Sequence, residues 1–485
     1  MGTPGSGKSL LLELFMHSLL PDETKGPFGS FGLNYRAAIY DPKRSLYRFF
    51  LRCGVSPDLI LVTHPFDARC SAWDLAADFR DRGDAQALAT ALVPTRRHTG
   101  DTRSSDFWTN AANQTVACVI EALIRRAPGG WDLRDVTEAC SHPSVIEQLL
   151  KATRDGRDIH RDYFQGAKDA NKANTLARDI QATIRSYLYP YGPLAALWHR
   201  AKTTFSLTGW CDGTGILLLG SDPRRQDVLQ TLNQLLIRRM TQLVLARPDM
   251  PPGQPTDLTW CLFDEIREAG HVPQFRQLLT LGRSKGARVA IGFQDLSGLH
   301  AAFGEKEARE LIANCGNKAL LHAGSPETTQ WASTVFSEDY QRVYAHSYSQ
   351  EGKQQQTVHD ERRPQYLPVD FSDLELAEIT EGAIDAFFQI PAPVKRTPTG
   401  ERIPLGAYAD RLTAAEVRAA LPAPEAEAAA LLGLDKLPGD FVERQDEQER
   451  VAWNDERFAQ LGLKRPNDWD DAPCGDQSEI KELGD

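Results

Sequence analysis

Gly2-Thr3-Pro4-Gly5-Ser6-Gly7-Lys8-Ser9 is the stretch on which the reading of this chain turns. Gly2, Gly5 and Gly7 leave the backbone free to wrap a polyphosphate with its N–H groups turned inward. Thr3, Pro4 and Ser6 complete the loop, Lys8 supplies positive charge for the β- and γ-phosphates, and Ser9 offers a hydroxyl to Mg²⁺. A chance match in a chain of this length has odds of roughly one in fifty at average residue frequencies. The apolar run from Leu10 to Leu20 predicts a helix leaving the loop directly, as a phosphate-binding loop requires. The motif predicts a nucleotide-hydrolysing α/β protein.

Short apolar runs elsewhere supply the sheet that such a loop needs. Arg36-Ala37-Ala38-Ile39-Tyr40-Asp41 and Leu59-Ile60-Leu61-Val62 have the length of buried strands. So do Gly215 to Leu219, Leu258 to Phe263, Ala287 to Phe293 and Lys318 to His322. Helical segments alternate with them, including an amphipathic one over Asp227 to Ala246, which argues for a mostly parallel sheet with crossover connections. Phe387-Phe388-Gln389-Ile390 reads as a last strand, and after Pro391 the strand signal fades into Ala/Glu-rich helical texture.

The strand Leu258-Thr259-Trp260-Cys261-Leu262-Phe263 runs into Asp264-Glu265. An Asp in that place holds the water shell of Mg²⁺, and a neighbouring Glu polarises the attacking water. The plain alternative is an ordinary pair of N-capping acids at a strand end. The loop and the acidic pair together favour the catalytic reading, with Glu265 as base and Ser9 and Asp264 as metal partners. Two further residues stay open on spacing alone. Arg283, in Gly282-Arg283-Ser284-Lys285-Gly286, is either a surface arginine or one that completes a neighbouring subunit's site. Gln294 is either a turn residue or a sensor of the γ-phosphate.

Bulk properties narrow the class. The 485 residues carry a net charge of −11, and 9 basic against 18 acidic residues fall within Arg411 to Asp485. The acidity therefore sits in a tail while the body is near neutral, which neither requires nor excludes a nucleic-acid partner. Eight scattered cysteines, without a Cys-x-x-Cys pair or matched His spacing, speak against a disulfide framework or a structural zinc and fit a reducing cytosol. No apolar run has the length of a membrane span.

The texture divides the chain into a first nucleotide-binding part (1–70), an all-helical insertion (71–200), a second nucleotide-binding part (201–395) and an acidic, partly disordered extension (396–485).

The ordered succession of motifs is more specific than any one of them. Asp264-Glu265-Ile266-Arg267-Glu268-Ala269-Gly270 is followed by Leu281 to Gly286, then Gly292-Phe293-Gln294-Asp295-Leu296, then Ala313-Asn314-Cys315-Gly316-Asn317-Lys318. Upstream stand Tyr40-Asp41-Pro42-Lys43 and His64-Pro65-Phe66-Asp67, with Phe107-Trp108 where a helical domain would begin. Over residues 1–395 this resembles the TraD/TrwB type of conjugative coupling protein, a branch of the FtsK-like DNA-pumping ATPases. The resemblance implies a RecA-like fold and ATP with Mg²⁺ as cofactors. It further implies a homo-hexameric ring at the inner face of the bacterial membrane, which drives single-stranded or duplex DNA with its relaxase into a type IV secretion channel. By motif, Gly2 to Ser9 bind nucleotide, Asp264 and Glu265 act as metal partner and base, Arg283 as the arginine in trans, and Gln294 as sensor. The helical insertion would face the DNA. A related ring ATPase working outside conjugation is the alternative. Family members also carry membrane helices and a strand before the phosphate loop, so the expectation is that the natural protein begins upstream of Met1. The acidic tail reads either as a solvated segment or as a docking site for a basic relaxosome protein.

Overall fold

The computed structural model describes residues 1–19, 36–94, 103–165, 170–251, 257–270, 273–336, 338–348, 354–377, 381–390, 394–396, 402–404, 407–422, 425–432, 434–444 and 451–467. The turn-rich stretch Pro21 to Gly32 and the end of the acidic tail lie outside the described residues. Strands in the first half are β1 (Arg36–Asp41), β2 (Ile60–Val62), β3 (Ser71–Trp73), β4 (Thr203–Phe205) and β5 (Gly215–Gly220). They are followed by β6 (Thr259–Phe263), β7 (Ala287–Ile291), β8 (Lys318–Leu320), β9 (Glu338–Tyr348) and β10 (Gln354–Pro364). The last four are β11 (Ile384–Gln389), β12 (Val394–Arg396), β13 (Arg402–Pro404) and β14 (Ala407–Leu412).

Two compact units emerge, the first made of Met1–Leu59 with Val244–Asp440, the second of Ile60–Leu243 with Phe441–Asp485. In the first unit β1, β6 and β7 lie side by side and parallel, with Arg36 opposite Thr259 and Phe263 opposite Ile291. Every residue of β1 is buried, and the strand reads accordingly as the apolar run Ala37 to Tyr40 between Arg36, which pairs with Asp257, and Asp41. Because the three strands run in register, Asp41, Asp264 and the segment after Ile291 all emerge at one edge of the sheet, the carboxyl edge where α/β proteins place their ligands. Gly292 stitches that edge. Its N–H donates to the Phe263 carbonyl at 2.6 Å and its own carbonyl accepts from Ile266 N–H at 2.9 Å. A Cβ at Gly292 would stand 2.2 Å from the Asp264 carbonyl oxygen, so no larger residue fits.

A second sheet, β14-β11-β8, is antiparallel throughout. Strand β14 departs from the expectation that strand signal ends at Pro391. Ala407 to Leu412 has little apolar alternation, and its strand form follows from pairing with β11, from Ile384 opposite Leu412 to Gln389 opposite Ala407. Within the polar stretch from Tyr340 to Pro364, β9 and β10 pair antiparallel, with Tyr348 opposite Gln354.

The helix Lys8–Leu19 is held on two sides. Leu10, Leu11 and Leu14 pack on Leu321, Ile384, Ala386 and Val417, and Phe15 meets Trp260 of β6 edge-on at 5.6 Å between ring centroids. The partial burial of these leucines holds the loop that precedes the helix in place.

In the second unit β2 and β5 pair in parallel, as do the short β3 and β4. Between Leu75 and His199 the described regular elements are all helical. The long helix Arg103–Arg126 buries Ala112, Val116, Val119, Ile120 and Leu123, a stripe at helical spacing. Residues from Phe441 onward return to this unit, with Trp453, Phe458, Leu461 and Leu463 buried. Arg126 donates to the Leu461 and Gly462 carbonyls, and Gln148 exchanges hydrogen bonds with the backbone of Lys464. The seven cysteines among the described residues are free thiols.

Candidate nucleotide site

All residues of the candidate site belong to the first unit. Met1 to Thr3 feed the loop through backbone pairing. Leu321 N–H donates to the Met1 carbonyl at 2.9 Å, Thr3 N–H to the His322 carbonyl at 3.0 Å, and Gly2 N–H to the Phe293 carbonyl at 3.3 Å. The Thr3 hydroxyl also meets His322 Nδ1 at 2.8 Å. The loop then turns through Gly5 (φ 78°) and Gly7 (φ 90°), positions that L side chains adopt only with strain. At Gly7 a Cβ would lie 2.9 Å from the Ala377 Cβ as well. Two positive-φ residues this close curl successive N–H groups toward one side, the geometry of an anion-binding nest at a helix N-terminus.

The acidic strand end meets the loop. Lys8 Nζ donates to Glu265 Oε2 at 2.9 Å, and Ser9 Oγ donates to Asp264 Oδ2 at 2.9 Å. Asp264 and Glu265 are both buried, at 7% and 4% exposure, so these pairings form in a low dielectric where each matters more than at a surface. Asp264 Oδ1 is buried and has no hydrogen-bond partner among the described residues. A buried carboxylate oxygen left with free acceptor capacity is costly unless a cation or its waters meet it. That orphaned oxygen beside a serine hydroxyl fits Mg²⁺, which typically takes one or two protein oxygens and fills its shell with water and phosphate. Among the described residues no cluster of three or more His, Cys, Asp or Glu offers an all-protein alternative.

Three residues outside the expected set face the same place. Lys43 Nζ donates to Ser9 Oγ at 2.8 Å and lies 3.6 Å from Asp264 Oδ2. Burial pushes the Asp41 carboxyl up to about 6, although the backbone N–H groups of Leu46, Ser45 and Arg44 oppose the shift. Burial likewise raises Glu13 to about 7, against the pull of Arg52 and with a further push from Asp264. A signal for Lys43 was present in the sequence. It stands two residues beyond a parallel strand, and such residues gather at the carboxyl edge.

The remaining expected residues divide. Gln294 is half-buried and follows Phe293, whose carbonyl accepts from Gly2, so it stands next to the loop's entry. Asp295 then caps the helix Leu296–Phe303 by accepting from Gly298 N–H. Arg283 is exposed on the turn preceding β7, at the amino end of that strand. The length of β7, about 13 Å at roughly 3.3 Å per residue, separates it from the carboxyl edge. The structure thus gathers Lys8, Ser9, Asp264 and Glu265 and leaves Arg283 outside that cluster.

Fold and site together define a P-loop protein of the RecA-like α/β class. Residues 1–391 match the family described as the type IV secretion-system coupling protein DNA-binding domain, and the chain belongs to that family. The resemblance read from the motif succession is thereby borne out. Coupling protein TraD of Escherichia coli K12 is 21% identical over 310 residues, covering 62% of this chain and 40% of TraD. The chain therefore spans about two fifths of that relative's length. Among solved structures, the conjugative coupling protein TrwBdeltaN70 in its unbound monoclinic form aligns with a TM-score of 0.62 at 19% identity, over 92% of this chain and 86% of the other. TrwB in complex with ADP and Mg²⁺ aligns with a TM-score of 0.56 at 18% identity, over 81% of each chain. TrwB with the ATP analogue ADPNP gives 0.59 at 18% identity, over 92% and 87%. These likenesses establish the fold. Among the described residues no helix is long and apolar enough to cross a membrane.

Proposed function

We propose that this chain is the ATP-hydrolysing, DNA-moving part of a conjugative coupling protein, delivering single-stranded DNA with its relaxase to a type IV secretion channel. The carrying observation is the double pairing of Lys8 with Glu265 and Ser9 with Asp264, with Asp264 Oδ1 left orphaned, in a chain of the coupling-protein family. TrwB, which shares the fold, has been crystallised with ADP and Mg²⁺ and with an ATP analogue, which supports the same ligands here.

In this reading the loop N–H groups around Gly5 and Gly7 hold the phosphates, those of Gly2 and Thr3 being taken up by the Phe293 and His322 carbonyls, and Lys8 leaves Glu265 to neutralise them. Glu265, relieved of its ammonium partner, accepts the proton of the attacking water. Ser9 and Asp264 would hold Mg²⁺, which when bound would supply charge neutralisation at the phosphates. Arg283, exposed and remote from its own loop, serves a neighbouring subunit of a homo-hexameric ring, and Gln294 reports the γ-phosphate to the sheet edge. Work at the cytoplasmic face of the inner membrane, with the helical unit toward DNA, completes the proposal.

DNA-stimulated ATP hydrolysis tests it. Strong stimulation by single-stranded DNA, lost in Lys8→Ala, is the expected result. Stimulation by duplex DNA alone points instead to a related ring ATPase outside conjugation, and no turnover in either case refutes the motor reading. Arg283→Ala should bind ATP normally yet hydrolyse it about 10³-fold more slowly. Wild-type specific activity should rise with protein concentration, and a fully active Arg283→Ala protein would remove the trans role.

A further inference from the structure

Lys43 has no part in the mechanism above, yet it touches the two groups assigned there to Mg²⁺. Its ammonium donates to Ser9 Oγ at 2.8 Å and stands 3.6 Å from Asp264 Oδ2, while Ser9 directs its own proton to that same carboxylate oxygen. The side chain is 64% exposed, against 9% for Asp264, so the lysine reaches in from solvent on a mobile four-carbon stem. Its backbone sits at the carboxyl end of β1, directly beside β6, and Arg44 follows it with φ 57°, which fixes the turn that aims the side chain.

We propose that Lys43 is a resident counter-cation of the Ser9–Asp264 pair, which a divalent metal must displace on arriving with nucleotide. Three physical points carry this. A buried carboxylate needs a compensating positive charge. The Ser9 lone pair that a metal would use is occupied by a lysine N–H. A divalent cation and an ammonium sharing Ser9 Oγ and Asp264 Oδ2 would repel at short range in a poorly screened pocket, so occupancy by one lowers occupancy by the other. Lys8 behaves in parallel, holding Glu265 until phosphate takes it away. The two lysines thus keep the acidic strand end neutralised, one released by phosphate and the other by metal. The inference rests on the proposed nucleotide and Mg²⁺ binding.

The test is equilibrium binding of a fluorescent ADP during titration with magnesium chloride, and again in EDTA, for wild type, Lys43→Met and Lys43→Arg. The position is exposed, so both variants should fold, and circular dichroism checks this. Removing the competitor should lower the magnesium concentration needed for half-maximal tight binding about tenfold in Lys43→Met. In EDTA the same variant should bind ADP more weakly than wild type, because nothing then neutralises Asp264 beside the phosphates. Lys43→Arg should fall between the two. Unchanged magnesium dependence in Lys43→Met overturns the inference. So does an equal loss of affinity with and without magnesium, which would make Lys43 a direct phosphate ligand. Failure of the wild type to bind ADP with magnesium would instead refute the nucleotide-site reading beneath it.

Discussion

Two buried acid–cation clusters, one in each unit, use the same chemistry to different ends. In the first unit Asp264 and Glu265 meet Ser9, Lys8 and Lys43, and Asp264 Oδ1 is left without a hydrogen-bond partner among the described residues. In the second unit Asp135 lies buried in the first turn of the helix Leu133–Ala139, which Asp132 caps, and against the returning C-terminal segment. Its Oδ1 accepts from Trp453 Nε1 at 2.9 Å and Arg457 Nε at 3.0 Å, and its Oδ2 accepts from Asp132 N–H and a second Arg457 nitrogen. Both oxygens of Asp135 are spoken for. A carboxylate with all its acceptor capacity used is a fastening, while one with capacity to spare in a cradle of glycines and lysines is built to receive something. The cations differ in the same sense: Arg457 grips with a planar fork, while the lysines are point charges on flexible stems.

The sharpest way to break this contrast is to remove the charge from the receptive side. Glu265→Gln keeps the shape and deletes the base, so ATP turnover should fall about 10³-fold while nucleotide affinity holds or improves, since Lys8 loses the partner that competes with phosphate. Steady-state hydrolysis and direct binding measured side by side decide it. A loss of binding equal to the loss of turnover would mean that Glu265 merely shapes the loop.

On the fastening side the expected effect is on stability alone. Arg457→Ala leaves Asp135, 3% exposed, with one donor fewer on each oxygen and an uncompensated charge. Breaking one half of such a pair typically costs about 3–5 kcal/mol. Urea denaturation should register most of that, with nucleotide binding in the first unit unchanged. If nucleotide affinity fell in step with stability, the division of roles between the clusters would fail.

How much of this was legible beforehand depends on how local each signal is. Gly2 to Ser9 encode a local backbone shape, and Asp264-Glu265 follow an apolar run that can only be a strand end, so both could be read directly. β14 could not, because Ala407 to Leu412 carries its strand form in the pairing with β11 rather than in its own pattern. Trp453 and Phe458 stand amid acidic residues whose composition suggests a solvated tail, and their burial depends on a surface contributed by residues 126–148, more than three hundred positions away. Lys43 was visible as part of a motif, but its partners are set by β1 lying next to β6, a neighbour relation that spacing does not contain. Arg283 was open on spacing, and its exposed position at the far end of β7 is compatible with service to another subunit and not with service to its own.

The smallest effect probes the electrostatics around the receptive cluster through Glu13. Burial lifts its carboxyl from the ordinary value of 4.5 to about 7, with Arg52 and Lys43 pulling down and Asp264 and Asp41 pushing up. A carboxyl whose folded-state pKa is raised binds its proton more tightly in the folded chain, so its own contribution to stability is greatest below pH 4.5 and declines as pH rises toward 7. Glu13→Gln cannot ionise and escapes that decline. Allowing for the partial exposure of the side chain, the variant should be more stable than wild type by about 1–2 kcal/mol at pH 8 and equal to it near pH 4.5. Adding magnesium and ADP should shrink the gain at pH 8, because a divalent charge held at Asp264, even with Lys43 displaced, offsets the part of the shift that Asp264 adds to burial. Thermal unfolding at the two pH values, with and without ligand, reads all of this. A gain that ignores ligand would mean that Glu13 responds to burial alone and does not sense the charge state of the cluster.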